Sequence, residues 1–130
     1  MSTIRVDNFG PSAGGTTYSA RGIAKAWVNF NGTGTIAARD SENVSSLTDN
    51  GAGNYTVNFS SAFGAADYSV VGGCSGNFGI GATGTMLFTS SSGTVEIAPT
   101  VSAYRITGIE YAVAYRDLKY MLSAAYGDLA

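Results

Sequence analysis

The sequence predicts an all-β protein, an antiparallel β-sandwich of jelly-roll-like form with about eight strands. Apolar side chains recur at every second position between Ala24 and Phe30, which places successive Cβ atoms on opposite faces of a strand. Turn-forming residues separate such runs at short intervals, most clearly in NGTG at Asn31–Gly34 and in DNGAG at Asp49–Gly53. With 130 residues, 45% of them hydrophobic, the chain is large enough for one packed domain.

The chain begins with a segment, residues 1–20, that we interpret as an attachment arm in front of the sandwich domain, residues 21–130. Its stretch Gly10–Thr17 is rich in glycine, serine and threonine and is typical of a flexible linker. A short strand ahead of such a linker can dock onto another protein by adding to its sheet. The alternative is a first strand of the sandwich followed by a long loop. The residues predicted to form the arm strand are Thr3, Ile4, Arg5 and Val6.

The strands of the domain follow from runs of β-forming residues between turn signals. The double glycine Gly72-Gly73 indicates a bulge, a bend or a close approach of another backbone. Pro99 ends a strand because it has no amide proton to donate. After the strand at Ala24–Phe30, the predicted strands are Thr35–Arg39, Val44–Thr48, Tyr55–Phe59, Tyr68–Gly73, Thr85–Ser90, Thr94–Ala98, Val101–Thr107 and Ile109–Tyr115.

The periodicity changes at the C-terminus, where residues 115–129 are predicted to form a short amphipathic helix. Leu118, Met121, Leu122 and Ala125 fall at helical spacing, and Gly127 is placed to end the run. A strand that continues from Tyr111 through Arg116 is the competing assignment.

Four strings of the sequence resemble a module common in bacteriophage tail-fibre and related virion proteins. They are GIAKAWVNFNGTGT, RDSENVSSLTDNG, YTVNFS and YSV, and the resemblance covers residues 21–72. It implies a β-sandwich in a fibre or knob, assembled as a homotrimer, with the arm docked onto other virion proteins and host-surface attachment as the use. The chain departs from the pattern at Glu42, where an aromatic residue is expected, and at Phe63-Gly64-Ala65, which replaces a proline-containing turn. Beyond Gly76 the resemblance ends.

Charge and composition limit the partners. Only 12% of the residues are charged, about half of the usual share, which favours a subunit that associates with copies of itself. A net charge of −2 without a basic cluster argues against nucleic acid. No apolar run approaches the ~20 residues of a membrane helix, and the first residues lack a signal-peptide core. We therefore expect synthesis in a cytoplasm, and the resemblance to phage fibre modules implies that this is the bacterial host cytoplasm and that the final location is the virion.

The sequence contains few residues that could act in catalysis or bind a metal, and we expect neither enzyme activity nor a cofactor. The chain has no histidine, which removes the commonest general base and metal ligand. Asp40 and Glu42 are the closest acidic pair and would share one face of a strand, but Arg39 adjoins them. Cys74 is the only cysteine, and its setting VVGGCSG predicts a buried small residue in a strand.

Aromatic residues are the better indication of a binding surface. Trp27 points away from the face of Ala26 and Val28, so it lies on the outside if that face lines the core. There it would contact another subunit or stack on a sugar ring of a host-surface glycan; with the faces reversed it would be a core residue. Asn77, Phe78 and Ile80 lie in a predicted glycine-rich loop and are candidates for an exposed tip. The rival interpretation is a carbohydrate-binding module that acts as a monomer.

Overall fold

The computed structural model describes residues 3, 5–10, 13–75, 85–87, 97–110 and 114–130. Within these residues, nine strands form two antiparallel sheets, and two more form a separate two-stranded hairpin. The predicted all-β antiparallel sandwich is confirmed. The strands are β1 (Asn8–Phe9), β2 (Tyr18–Ser19), β3 (Ala26–Asn31), β4 (Ala37–Glu42), β5 (Val44–Asp49), β6 (Asn54–Phe59), β7 (Ser69–Ser75), β8 (Thr85–Leu87), β9 (Ala103–Glu110), β10 (Ala114–Tyr115) and β11 (Tyr120–Tyr126).

The chain passes repeatedly from one sheet to the other. One sheet has the order β4-β3-β11-β7, and the other has the order β10-β9-β6-β5 with β8 also paired to β9. The link from β4 to β5 is the single residue Asn43, whose φ of 54° is a left-handed conformation that asparagine tolerates. The predicted turn at Asp49–Gly53 joins β5 to β6, where Gly51 and Gly53 have positive φ. Gly34 has the same role in the NGTG turn between β3 and β4.

The core lies between the two sheets and is built from both of them. Ala26, Val28 and Phe30 of β3 are buried, as the alternation in the sequence predicts. The ring of Phe30 meets that of Tyr55 in β6 edge to face, with 5.2 Å between ring centroids. Aromatic contacts of this kind continue through the core, whose larger members also include Val57, Phe59, Phe63, Tyr68, Tyr104, Ile106, Leu118 and Met121.

The predicted C-terminal helix over residues 115–129 is wrong. Residues 120–126 form β11, which pairs with β3 on one side and with β7 on the other. Its buried residues Met121, Ser123 and Ala125 alternate with more exposed ones, which is the period of a strand. The helical spacing of Leu118, Met121 and Ala125 arose because Leu118 is buried in the segment before the strand. Of the competing strand from Tyr111 through Arg116, Ala114–Tyr115 is a strand and Arg116 is not, and residues 111–113 lie outside the described residues.

Gly108 was predicted to separate two strands, but β9 runs through it without a break. A Cβ atom at this position would lie 2.8 Å from Cδ1 of Leu118 and 2.9 Å from the carbonyl oxygen of Arg116. The glycine is there because another segment crosses close to the strand, not because the chain turns.

The N-terminal segment folds back on itself as a small hairpin. β1 pairs with β2, and the amide of Ala20 donates to the carbonyl of Asp7 over 2.9 Å. Lys25 fixes the hairpin to the domain, because its Nζ donates to the carbonyl of Ala20 over 3.0 Å while its amide donates to Ala125 of β11. Of the four residues predicted as the arm strand, Thr3, Arg5 and Val6 are exposed and not in a strand, and Ile4 lies outside the described residues.

Three buried tyrosines predict that the protein loses stability at alkaline pH. Burial raises the pKa of Tyr104 to about 12, and burial likewise raises the pKa of Tyr55 and of Tyr68 above the ordinary 10.0. For Tyr55 the hydrogen bond to Asp117 adds to the effect. Because the folded state holds these protons more tightly than the unfolded state, their contribution is complete below pH 10 and is lost as pH rises through 12.

Urea unfolding at several pH values checks the predicted loss of stability at alkaline pH. We expect a free energy of unfolding that depends little on these groups up to about pH 9 and falls steeply above pH 10. Tyr104→Phe should make the fall shallower. A stability that stays constant between pH 9 and 11.5, or the same slope in the variant, would contradict the prediction.

Candidate functional site

The outward side of the four-stranded sheet carries an exposed apolar surface, which we call the groove face. It is formed by Trp27, Val71, Leu122 and Ala124, and Gly73 lies at its margin beside Leu122. Val71 is 53% exposed and Leu122 is 40% exposed, and Trp27 is half-buried. Together with Asn29 and Gly72 they line a shallow cavity of about 430 Å³. A surface of this kind on a small protein usually marks a contact with another molecule.

The pairing of three strands brings these residues together. In one row across the sheet, Trp27 of β3 lies beside Ala124 of β11, which lies beside Val71 of β7. In the next row of this face, Leu122 lies between Asn29 and Gly73. The side chains of both rows point outward because Val28 and Ser123, between them, are buried. The groove face is therefore a consequence of the register of β3, β11 and β7.

Gly73 leaves the margin of the groove face beside Leu122 without a side chain. A Cβ atom added there would meet no atom within 4 Å, and its φ is not in the left-handed region. Glycine weakens a strand relative to residues with side chains. Within the described residues, nothing in the isolated chain requires glycine at this position.

Charged residues lie at the borders of the groove face. A register shift between Asn29 and Phe30 makes Arg39 the extra residue of β4, and the guanidinium group reaches across the sheet. Its Nη1 donates to Oδ1 of Asn29 over 3.2 Å and its Nη2 to the carbonyl of Lys119 over 2.6 Å. The guanidinium also lies 4.3 Å from the ring centroid of Tyr120.

Acidic side chains occupy another border. Asp40 pairs with Asn29 and Glu42 pairs with Trp27, and both acidic residues are exposed. The apolar centre is thus bordered by positive charge near Tyr120 and by negative charge along β4.

The outward side of the five-stranded sheet is different in character. There Nδ2 of Asn58 donates to the hydroxyls of Ser46 and Thr48, both over 3.1 Å. Nδ2 of Asn50 donates to Oγ1 of Thr56 over 2.8 Å. These amide and hydroxyl groups form a hydrated polar surface, so the two outer faces of the sandwich are suited to different surroundings.

The structure places one sequence-based candidate on the groove face, together with two residues that the sequence did not single out. Trp27 lies on the outward side of β3, as predicted, opposite the buried face of Val28. Val71 was not singled out because the sequence alone does not place β7 two strands away from β3. Leu122 was assigned to the inner side of a helix. Asn77, Phe78 and Ile80 lie outside the described residues.

The acidic pair and the cysteine lie in separate strands of the four-stranded sheet. Asp40 and Glu42 lie two residues apart on an exposed edge strand. No group of three or more His, Cys, Asp or Glu residues that could hold a metal occurs among the described residues. Cys74 is in β7, is half-buried rather than buried, and packs against the core. Burial raises the pKa of its thiol, which lowers the reactivity of the side chain.

Comparison with protein-family models, curated proteins and solved structures finds no match for this chain. In the part of the chain that the structure describes, no helix is long and apolar enough to cross a membrane.

Proposed function

We propose that this protein is a structural protein of a bacteriophage virion, a homotrimeric fibre or decoration subunit on the tail or capsid that contributes to host-surface attachment. The observation that carries the self-association is the groove face, an exposed apolar surface built from three strands of one sheet. The virion context rests on the resemblance of residues 21–72 to phage fibre modules.

The contrast between the two outer faces supports assembly through one of them. The face with Asn50, Thr56 and Asn58 is satisfied by its own hydrogen bonds and can remain in water. The groove face exposes Val71 and Leu122 instead, and covering apolar surface of this kind is the main favourable term in association. A chain with only 12% charged residues also has little electrostatic repulsion to keep copies apart.

Molar mass in solution tests the proposal. Light scattering on the purified chain should give about 40 kDa, three times the monomer mass of 13.3 kDa. Leu122→Asp should raise the dissociation constant at least ~100-fold, since it places a charge in the centre of the apolar surface. Thr48→Asp is the matched control on the polar face, because it introduces the same charge on an exposed strand position and should leave the trimer intact.

A wild-type chain of 13.3 kDa at all concentrations would contradict the homotrimer. Equal effects of Leu122→Asp and Thr48→Asp would contradict assembly through the groove face. The virion context has its own test, since an antibody against the purified chain should label intact phage particles at the tail or capsid.

A monomeric carbohydrate-binding module is the second candidate, and one observation favours it. Trp27 and Tyr120 both lie on the outward side of the same sheet, where aromatic rings can stack on sugars. If the chain is a monomer that binds host polysaccharide, and Tyr120→Ala abolishes this binding, the module replaces the fibre subunit as the preferred function.

A further inference from the structure

The bare position at Gly73 is the feature of the groove face that the described residues do not explain. An alanine or larger residue would have open space there among the described atoms and would strengthen the strand. Glycine inside a strand often marks a place where another backbone or a ligand approaches closely. Because Leu122 lies beside Gly73 and Val71 is on the same face of β7, whatever approaches Gly73 meets an apolar surface.

A closed trimer determines what kind of surface must meet this one. In a ring of three identical subunits each contact is heterologous, which means that one surface of a subunit meets a different surface of its neighbour. The groove face therefore requires a second apolar surface elsewhere on the same chain. A face that packed against its own copy would instead produce a twofold dimer.

The described residues offer such a surface at the N-terminal hairpin, formed by β1 and β2 with the flanking Val6 and Ile23. Val6 is 54% exposed, Phe9 is 46% exposed and Ile23 is 50% exposed. Three large apolar side chains exposed within so short a segment are unusual for a surface that remains in water. The hydrogen bonds from Lys25 and Ala20 hold the hairpin in a defined place, so it is presented to a neighbour rather than free.

The charges of the two surfaces are also compatible. Arg5 adjoins Val6 and is exposed, whereas Asp40 and Glu42 border the groove face on β4. A neighbouring hairpin that lies on the groove face can bring Arg5 to this acidic border. Such contacts at the rim contribute mainly to the choice of partner and to its orientation.

We propose that the N-terminal hairpin of one subunit packs its exposed apolar side chains into the groove face of the next subunit, against the backbone at Gly73. This inference rests on the proposed homotrimer and names its contact. The hairpin thereby links subunits to one another, whereas the sequence analysis assigned the N-terminal segment to docking onto other proteins.

A photoreactive residue at position 23 tests the contact directly. Benzoylphenylalanine incorporated in place of Ile23 in the full chain should, on irradiation, produce covalent dimers on a denaturing gel. Mass spectrometry should locate the cross-link within residues 26–31, 69–75 or 120–124 of the second copy, which are the segments that form the groove face. Gly73→Lys, which fills the groove and adds a charge, should reduce the cross-linked fraction at least tenfold.

Controls separate this effect from misfolding. Gly73→Lys should not lower the urea midpoint of the diluted, monomeric protein, because a side chain at this position meets no described atom of its own subunit. Thr48→Lys on the opposite outer face should leave the cross-link unchanged. The double variant with Val6→Asp and Ile23→Asp should lose the trimer while its monomer remains folded.

The outcomes distinguish the two proposals. A wild-type monomer by light scattering overturns the homotrimer and this contact together. A trimer whose cross-link from position 23 falls outside these three segments, or that forms none, overturns the contact and leaves the homotrimer standing. A trimer that survives both Gly73→Lys and the double variant also overturns the contact.

Discussion

Gly53→Ala is expected to destabilise the fold by about 4 kcal/mol, the largest effect that we expect from a methyl group added at a described glycine. Gly53 has a φ of 62°, and a Cβ atom there would lie 2.5 Å from the amide nitrogen and 2.7 Å from the carbonyl oxygen of Arg116. The carbonyl of Gly108 would be equally close, at 2.7 Å. All three atoms belong to the backbone of neighbouring segments and cannot move aside like a flexible side chain.

Gly34→Ala is the matched control for this prediction. Gly34 has nearly the same backbone conformation, with a φ of 66°, but a Cβ atom there would meet nothing within 4 Å. Gly34→Ala should therefore cost only the free energy of placing a residue with a Cβ atom in the left-handed conformation, about 1 kcal/mol. Urea unfolding of the two variants gives the comparison. If both lose the same stability, the close approach at Gly53 is not what makes glycine necessary.

Asp117→Ala is expected to cost about 3 kcal/mol, the second largest effect. Oδ1 of Asp117 accepts the hydroxyl proton of Tyr55 and the amide proton of Gly53, each over 2.7 Å. The carboxylate thus connects the segment before β11 to the turn between β5 and β6. The hydroxyl of Tyr55 is also 2.8 Å from the carbonyl oxygen of Gly32, so it keeps one hydrogen-bond partner in Asp117→Ala. The amide of Gly53 instead loses its hydrogen bond to the carboxylate of Asp117.

Asp40→Ala serves as the comparison, because Oδ1 of Asp40 accepts only from the amide of the next residue, Ser41. It should cost less than 1 kcal/mol. Asp117→Asn should fall between the two, since the amide oxygen can accept the same protons without the charge. Thermal and urea unfolding measure all three variants. A loss in Asp117→Ala no larger than in Asp40→Ala would show that this connection does not stabilise the fold.

Local patterns in the sequence predicted the parts of the fold that depend on neighbouring residues. The alternation in β3 and the turns at Asn31–Gly34 and Asp49–Gly53 were identified because period and turn chemistry are both properties of short segments. The segment that became β11 was predicted as a helix. Its assignment depends on β3 and β7, which lie far away in the sequence and supply its hydrogen bonds.

Of the residues on the groove face, only Trp27 could be predicted from the sequence. Trp27 could be placed on the outward side because the face of Ala26 and Val28 is apolar. Its neighbours on the groove face could not be predicted, since they depend on the order of the strands and on their register. A shift of β7 by one residue would turn Val71 inward and remove the groove.

The central position of β11 sets an order of events during synthesis. β3 and β7 do not pair with each other in the described structure, and β11, the last of the described strands to be made, lies between them. Until residues 120–126 have left the ribosome, the four-stranded sheet is two separate pieces, and the groove face lacks Leu122 and Ala124. Nascent chains therefore have no complete surface with which to recognise a neighbour. The proposed assembly through the groove face therefore requires subunits in which the four-stranded sheet is already complete, which would protect the growing chain from premature association.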